Sequence, residues 1–524
     1  IVREHSTVQT HSFSLPPTYF IEYIMADTQK QDSEEPAAAA EVAAVVPAKK
    51  PKQTFAVTVE PGSFEAEHHY YTKVINSQIH PLVSHFMNLT TKQLVSRYCH
   101  LYPSVDKAAL EKLLSYEPQY FRWSGADLFC TTTETGIKKM VIVETNSSPS
   151  GQKSCPWTSE YDEGGGYRVL IERTFKPLLL KLAAENPLPE GRLAVIFDKN
   201  HMEASGYAAM MAEVFEEEVL LVPWYNGDET PSCRWTKDLI LEVKDASDVW
   251  HPVRAAFRYV TQKPWRRLPV SGARTLILNP VIVCLAGGRN KLMAAKAYEL
   301  FNHSEEAHQS GLQILTPETI RDVSKAEIPM WVKSFGGKAV IKVPYGNAGQ
   351  GVYTITSADE LARFMEEDDD SYDQYIVQSL VGNYHWSSVS RQGQLFHVGT
   401  VPDRSGRIYV ADLRMMVHYD YTKKVYRPLA LYARRARKPL VDELVDGASS
   451  WDILGTNLSV KLEENSWDTE TNRLMIFDRR DFNKLGFSTD DLLNAYVQTI
   501  MCTVAIDRMA RRLCPGGDWD ADMF

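Results

Sequence analysis

The stretch that decides the fold runs from Asp127 to Gly151 and reads DLFCTTTETGIKKMVIVETNSSPSG. Its later part, Val141 to Asn146, is typical of a short strand. Because side chains alternate along a strand, Ile142, Glu144 and Asn146 are predicted to share one face. A carboxylate and an amide would then point the same way at the end of the strand.

Asp127 lies on the preceding predicted strand, and a turn over Thr131–Gly136 would bring its carboxylate beside that end. Converging oxygen ligands suit Mg²⁺, which keeps several waters and takes further ligands from nucleotide phosphates. The sequence therefore predicts a magnesium site formed by Asp127, Glu144 and Asn146. The alternative is that Glu144 and Asn146 only occupy a solvated strand end.

A second informative stretch, Ala339–Ile355, reads AVIKVPYGNAGQGVYTI. Two β-rich runs flank a loop with glycines at 346, 349 and 351, and glycines allow a backbone to approach phosphate oxygens closely. Lys342 interrupts the first apolar run, a costly place for a charge unless an anion meets it. The loop joins two strands and no helix start follows it, so it matches neither a Walker A nor a Rossmann motif. The alternatives are a phosphate clamp and an ordinary tight turn.

Taken together, these segments resemble the ATP-grasp ligases. The resemblance implies that Tyr375–Leu380 is the hinge strand that holds adenine and ribose, and that Ala411–Val417 brings Arg414 to the phosphates. Cys284–Met293 resembles the stretch that carries the first ATP-contacting lysine of the family. The implied cofactors are ATP and Mg²⁺, and the implied ATP-binding residues are Lys291, Lys342, Gly346, Asn347, Gly349, Gln350, Gly351, Gln378 and Leu380.

The order of the motifs resembles the circularly permuted branch of the family, which includes eukaryotic glutathione synthetase. Here Asp127, Glu144 and Asn146 precede the lysine and the glycine loop, whereas in ordinary members the metal strands come last. The acidic residue that glutathione synthetases carry in the glycine loop is absent. Their glycine- and alanine-rich loop near the carboxyl terminus is replaced by Leu454–Ser459. The substrates therefore stay open.

Substrate contacts are predicted on both sides of the metal strands. Phe121–Asp127 resembles the segment that places a carboxylate-binding arginine, which nominates Arg122, and a guanidinium fork matches a carboxylate bidentately. Its alternative role is structural. Four polar residues directly follow the metal strand and are expected to line the pocket of the acyl acceptor: Ser147, Ser148, Ser150 and Gln152.

Composition narrows the class of protein. The 524 residues carry a net charge of -10, which argues against a general nucleic-acid binder. No apolar run approaches the roughly 20 residues that span a bilayer. The seven cysteines form no Cys-x-x-Cys pair, so neither a zinc site nor a disulfide framework is indicated. These features are typical of a cytoplasmic enzyme, and the expected assemblies include a homodimer.

The predicted fold is α/β with α+β lobes, a permuted ATP-grasp with an inserted Rossmann-like substrate lobe. Residues 1–52 are rich in Ala, Glu, Pro and Lys and are predicted to be disordered, with residues 1–24 upstream of a true start at Met25. Residues 53–190 are expected to hold the metal strands, residues 191–285 the alternating strands and helices of the inserted lobe, and residues 286–524 the nucleotide lobes.

The predicted activity is that of an ATP-dependent ligase that forms a carbon–nitrogen bond and releases ADP. A substrate carboxylate would become an acyl phosphate, and an amine would attack it to give an amide, with amino acids or small peptides as substrates. Such chemistry needs positioning and neutralisation of phosphate charge more than acid–base side chains. Two alternatives remain: a catalytically silent binding or structural protein on the same scaffold, and a phosphotransferase.

Overall fold

A computed structural model describes residues 53–159, 161–346, 349–367, 372–444, 449–463 and 466–520 of the chain. The predicted disordered extension (residues 1–52) and the loop residue Asn347 lie outside the described residues. The predicted mixed α/β class is confirmed, because helices alternate with strands along the described chain and the strands form several separate sheets.

The helices of the described residues are α1 (Ala66–His69), α2 (Thr72–Ile75), α3 (Pro81–Asn88), α4 (Thr91–Leu101), α5 (Lys107–Leu114), α6 (Gly165–Leu170), α7 (Lys176–Glu185), α8 (His201–Phe215), α9 (Lys291–Asn302), α10 (Glu305–Ser310), α11 (Ile328–Ser334), α12 (Ala358–Glu366), α13 (Ser450–Leu454) and α14 (Thr489–Leu513). The strands are β1 (Val57–Val59), β2 (Trp123–Thr133), β3 (Lys138–Asn146), β4 (Arg192–Phe197), β5 (Val219–Pro223), β6 (Cys233–Trp235), β7 (Leu241–Lys244), β8 (Trp250–Tyr259), β9 (Leu276–Leu278), β10 (Thr319–Val323), β11 (Ala339–Lys342), β12 (Val352–Ile355), β13 (Tyr375–Ser379), β14 (Leu395–His397), β15 (Ala411–Asp420), β16 (Val425–Arg435), β17 (Ser459–Glu463), β18 (Ser466–Thr469) and β19 (Leu474–Met475).

The central sheet is antiparallel and carries the predicted metal strands. Its order is β14-β2-β15-β16-β19, and β3 pairs with β2 on the other edge. The long helix α14 covers this sheet, and residues such as Ile500 and Val504 are fully buried in the core between them. The strand β3 that the sequence predicts from Val141 in fact begins three residues earlier, at Lys138.

One buried carboxylate ties α14 to the chain that enters β2. Asp507 accepts hydrogen bonds from the backbone amides of Gln119, Tyr120 and Phe121, at 3.2, 2.7 and 2.8 Å. It also accepts one from the Tyr116 hydroxyl at 2.8 Å. Since these donors come from a turn with no regular secondary structure, Asp507 supplies the acceptors that a neighbouring strand or helix would otherwise provide.

A second sheet, with order β1-β5-β4-β8-β7-β6, contains the strands of the region predicted to be the inserted lobe. Strand β4 runs parallel to both β5 and β8, and β9 adds a further parallel strand to β8. These strands are buried along most of their length, as expected for a parallel sheet covered on both faces. However, the edge strand β1 comes from Val57–Val59, so a segment far upstream of residue 191 completes this sheet.

A third sheet is antiparallel with order β10-β13-β11-β12 and carries the predicted nucleotide motifs. The glycine loop connects β11 to β12, and the predicted hinge strand is β13, beside β11. Lys342 is the last residue of β11 and pairs with Ile376 of β13 and Val352 of β12. The lysine, the loop and the hinge thus lie on adjacent strands.

None of the helices in the described part of the chain combines the length and apolar character needed to cross a bilayer. All seven cysteines are free thiols, and six of them are buried.

We predict that Asp507→Asn destabilises the protein while leaving its fold intact. The NH₂ group of the new asparagine would face N–H and O–H groups that now donate to the Asp507 carboxylate. This should lower the free energy of unfolding by about 2–4 kcal/mol. Urea denaturation followed by circular dichroism measures this loss. Asp518→Asn, at an exposed position, is the matched control. A midpoint equal to that of the control would contradict the role given to Asp507.

Candidate active site

A cavity of about 1040 Å³ lies among the three larger sheets. The central sheet contributes Asp127 and Glu144, and the antiparallel third sheet contributes Lys342 and Gln378. The carboxyl ends of β4 and β8 reach the same space through the residues that follow them. The cavity therefore brings together motifs that are far apart in the sequence.

A β-bulge determines which side chains of β3 face this cavity. Asp127 is opposite Glu144, but the next pair is Leu128 with Ile142, so Val143 is an extra residue on β3. Ile142 is consequently buried in the hydrophobic core. The prediction that Ile142 shares a face with Glu144 was wrong, because the bulge interrupts the period of two.

Asp127 does not have the environment predicted for a metal ligand. Arg414 donates two hydrogen bonds of 2.6 Å to Asp127, from Nε to Oδ1 and from Nη2 to Oδ2. Arg434 lies 2.9 Å from Oδ2 and also bonds Asp412. Burial opposes ionisation, but the two guanidinium groups outweigh it and hold the pKa of Asp127 below its usual range. Both oxygens are thus engaged by arginines, which corrects the predicted role.

The same contact corrects the prediction for Arg414. Its Nε and Nη2 donate to Asp127, and Nη1 donates to the carbonyl of Ser150 at 3.1 Å. All three nitrogens of the fork are therefore directed at the protein itself. Arg414 joins the central sheet to the loop that follows β3, although it does line the cavity.

Glu144 and Asn146 keep the character expected of metal ligands. Both line the cavity, and the side chain of Glu144 is 29% exposed. The Nδ2 of Asn146 is buried without a hydrogen-bond partner in the described residues, so this amide nitrogen is not committed elsewhere. Among those residues, no three His, Cys, Asp or Glu side chains form a metal-binding group. One carboxylate and one amide oxygen nevertheless suit Mg²⁺, which takes few protein ligands.

Two lysines meet beside Glu144. The ammonium of Lys291 lies 3.4 Å from Glu144 Oε1 and donates to the carbonyl of Gly346 at 2.9 Å. Lys342 is buried and donates to Gln378 Oε1 at 2.7 Å and to the bulged Val143 carbonyl at 3.2 Å. Burial, reinforced by the charge of Lys291, lowers the pKa of Lys342 to about 8. Within the described residues its hydrogen bonds are all to neutral groups, and the nearby Glu144 carboxylate only partly offsets the lowering of its pKa.

The glycine loop has backbone conformations that residues with a Cβ atom rarely adopt. Gly349 and Gly351 have φ of 79° and 66°, in the left-handed region. A Cβ at Gly351 would lie 2.2 Å from Val343 Cγ2, and one at Gly349 would lie 2.8 Å from the Trp451 ring. The predicted residues Gly346, Gly349, Gln350 and Gly351 all line the cavity.

The far side of the cavity is apolar and suits a flat ring. Phe129, Val340, Leu380, Val381 and Leu454 line it. The backbone amide and carbonyl of Leu380 both bond Ser388, at 2.7 and 3.0 Å. The predicted hinge residue therefore offers mainly its side chain to the cavity.

Of the four predicted acceptor-pocket residues, Ser148 and Ser150 line the cavity. Ser147 and Gln152 are buried next to it instead. The buried Glu203 of α8 explains this arrangement, because it accepts hydrogen bonds from the amides of Gly151 and Gln152, at 2.7 and 2.8 Å, and from Ser150 Oγ at 2.7 Å. Glu203 was not found from the sequence, because nothing marks a partner so distant along the chain.

Arg122 does not line the cavity in the described structure. Its Nε donates to the Tyr421 hydroxyl at 2.9 Å, and its other two nitrogens donate to the carbonyls of Tyr120 and Gln119. The guanidinium therefore holds the turn before β2. The structural alternative considered for this residue is the one that the geometry favours, and the predicted substrate clamp is corrected.

Several charged residues of the cavity were missed from the sequence. The basic side chains lining it are Lys153, Lys199, Lys263, Arg289, Lys291, Lys342, Arg414 and Arg434. The acidic ones are Asp127, Glu144 and Asp412. The excess of positive charge favours a polyanionic ligand. Lys199 and Lys263 follow the ends of parallel strands, a position that could have marked them in advance.

No protein-family model matches the sequence, and no curated protein matches it either. Among solved structures, a glutathione synthetase-like effector from Globodera pallida is 10% identical with a TM-score of 0.34, covering 73% of this chain and 88% of that chain. A RimK domain ATP-grasp protein from Sphaerobacter thermophilus is 15% identical with a TM-score of 0.27, covering 48% and 92%. D-alanyl-alanine synthetase A from Vibrio cholerae is 11% identical with a TM-score of 0.30, covering 47% and 84%. These TM-scores are low, so the function proposed below is based on the residues of the cavity.

Proposed function

We propose that this chain is an ATP-dependent carboxylate–amine ligase of the circularly permuted ATP-grasp type. The observation that carries the proposal is the meeting of Glu144 and Asn146 with Lys291, Lys342 and a glycine hairpin in one cavity. The metal strands precede the lysine and the hairpin in the chain, which is the permuted order. The excess of basic over acidic lining residues matches reactants that carry several negative charges.

The nucleotide would lie along the cavity with its base at the apolar side. Leu380, Val381 and Leu454 offer apolar contacts for the base, while Gly349 and Gly351, which also line the cavity, have no side chains that would keep phosphates from the backbone. The hydrogen bonds of the buried Lys342 within the described residues are all to neutral groups, and a phosphate oxygen would give it an anionic partner.

The donor set fits Mg²⁺ through Glu144 and Asn146, which would hold the ion together with the phosphates. When bound, the ion would neutralise phosphate charge and polarise the phosphoryl group. Lys291 sits between Glu144 and the carbonyl of Gly346, and so holds the hairpin over the same space. These residues bind and orient the reactants and exclude water from them, which is what acyl transfer through a phosphorylated carboxylate requires.

The ion pair of Asp127 with Arg414 would act as a positioning group for the substrate side. Arg414 fixes the Ser150 carbonyl, and Tyr432 donates to that carbonyl at 3.0 Å. The loop with Ser148 and Ser150 is thereby held next to Glu144, where an activated carboxylate would sit.

The direct test of the ligase proposal is a turnover screen with ATP, Mg²⁺ and pairs of amino acids or dipeptides. A ligase releases ADP and free phosphate only when an acid and an amine are both present. A phosphotransferase would release ADP without free phosphate, and a silent binding protein would release neither. The pair γ-glutamylcysteine and glycine belongs in the screen as the glutathione-forming case.

We predict that Glu144→Gln abolishes most turnover without unfolding the protein. Loss of the only carboxylate of the proposed magnesium pair should lower turnover by roughly 10²–10³-fold and weaken Mg²⁺-dependent ATP binding. ADP release and calorimetry with and without Mg²⁺ measure the two effects. Glu134→Gln, in the exposed turn after β2, is the control. Near-normal turnover in the Glu144 variant would remove the proposed metal site.

A second prediction concerns the lysine beside the hairpin. Lys342→Met should weaken ATP binding by about 2–4 kcal/mol, because a charge-assisted contact at a largely desolvated site is lost. Isothermal titration calorimetry gives the affinity directly. The control is Lys333→Met, an exposed lysine on α11 of the same lobe. If both variants bind ATP like the unmodified protein, Lys342 does not contact the nucleotide.

A further inference from the structure

One side of the cavity is built by residues that follow strands of the parallel sheet. Lys199 and Asn200 follow β4, and Thr261, Gln262 and Lys263 follow β8. Parallel α/β sheets bind ligands beyond the carboxyl ends of their strands. This side, which we term the lysine face, also includes Lys153 from the loop after β3.

The two carboxylates next to the lysine face, Asp198 and Glu203, accept hydrogen bonds from other groups. Asp198, directly before Lys199, accepts from the amides of Thr261 and Gln262, at 2.8 and 2.7 Å, and from Arg267 Nη2 at 3.1 Å. Glu203, at the start of α8, has its oxygens occupied by the loop after β3 and by the Tyr259 hydroxyl at 2.8 Å. Neither carboxylate bonds a lysine of the face.

Two lysines of the face consequently have no counter-charge. Within the described part of the chain, the ammonium groups of Lys153 and Lys199 make no ion pair or hydrogen bond. Lys153 is only 8% exposed, and its ammonium lies 5.2 Å from the centre of the Tyr71 ring. Burial and the charge of Arg289 lower the pKa of Lys199 to about 8. Confined ammonium groups of this kind are costly unless an anion is bound.

The kind of donor indicates the kind of anion. Carboxylates are best matched by planar arginine forks, and both Arg414 and Arg434 already hold aspartates. What remains are several ammonium charges with the amide of Gln262, beside Arg289, whose positive charge acts on Lys199. Ammonium groups bind phosphate as point charges from several directions.

We propose that the lysine face binds a phosphate group of the second substrate, so that the small molecule joined or activated here is phosphorylated. This inference rests on the proposed function, because it assigns ATP to the other side of the cavity. The two sides meet at Ser150, whose carbonyl is bonded by Arg414 and whose hydroxyl accepts from Asn200 Nδ2 at 3.2 Å. A substrate held by the face would therefore extend toward Glu144 and the ATP phosphates.

The test is calorimetric titration of the whole protein with inorganic phosphate and with O-phospho-L-serine. Each titration is done with and without saturating Mg²⁺ and a non-hydrolysable ATP analogue. We expect both probes to bind while the analogue is bound. Lys199→Met should weaken probe binding by about 10–100-fold, as loss of a charge-assisted hydrogen bond implies, and should change analogue affinity less than about twofold. Lys153→Met should act similarly.

Lys92→Met, an exposed lysine on α4, is the control and should leave probe binding unchanged. The inference is overturned if neither probe binds, if the analogue displaces both, or if L-glutamate binds as well as O-phospho-L-serine with the same dependence on Lys199. Failure of the ATP analogue to bind the unmodified protein overturns the proposed function instead. Probe binding that depends on Lys199 in the absence of the analogue would still identify the phosphate site.

Discussion

The buried ion pair between Asp127 and Arg414 is the interaction on which the arrangement of the site depends. It joins β2 to β15 at the centre of the main sheet, and Arg434 extends it to β16 and Asp412. Removing one partner from such a pair leaves an uncompensated buried charge, which is far costlier than the pair is stabilising. Because Arg414 also fixes the Ser150 carbonyl, the same contact sets the position of the loop between the two sides of the cavity.

The cavity separates two tasks between lobes of different construction. The antiparallel sheet β10-β13-β11-β12 supplies a lysine and a hairpin of small residues, which suit the close approach of a phosphate chain. The parallel sheet supplies polar residues at its strand ends, where variation of the loops leaves the scaffold unchanged. Under the proposed function, changes of substrate would thus arise in the parallel lobe without disturbing the nucleotide side.

Much of this organisation was predictable from local sequence. A single sequence displays the periodicity of the strand that carries Glu144 and of the long final helix. It also displays the lysine on β11 and the glycines of the hairpin that follows it. The bulge at Val143 was not predictable, since it depends on how β3 pairs with β2 rather than on any residue preference. The ion pairs of Asp127 with two arginines and the hydrogen bond from Arg122 to the Tyr421 hydroxyl likewise depend on distant partners. Most residues nominated by motif resemblance line the cavity, whereas Arg122, Ser147 and Gln152 do not.

The edge strand β1 comes from a part of the chain far from the other strands of its sheet. It covers the outer edge of β5, where three residues of β5 would otherwise present unpaired backbone groups to solvent. The parallel lobe is therefore a discontinuous folding unit, closed by a strand that is synthesised long before the rest of it. An excised fragment starting at β4 would keep its parallel strands but expose an open edge, and such an edge invites pairing between molecules.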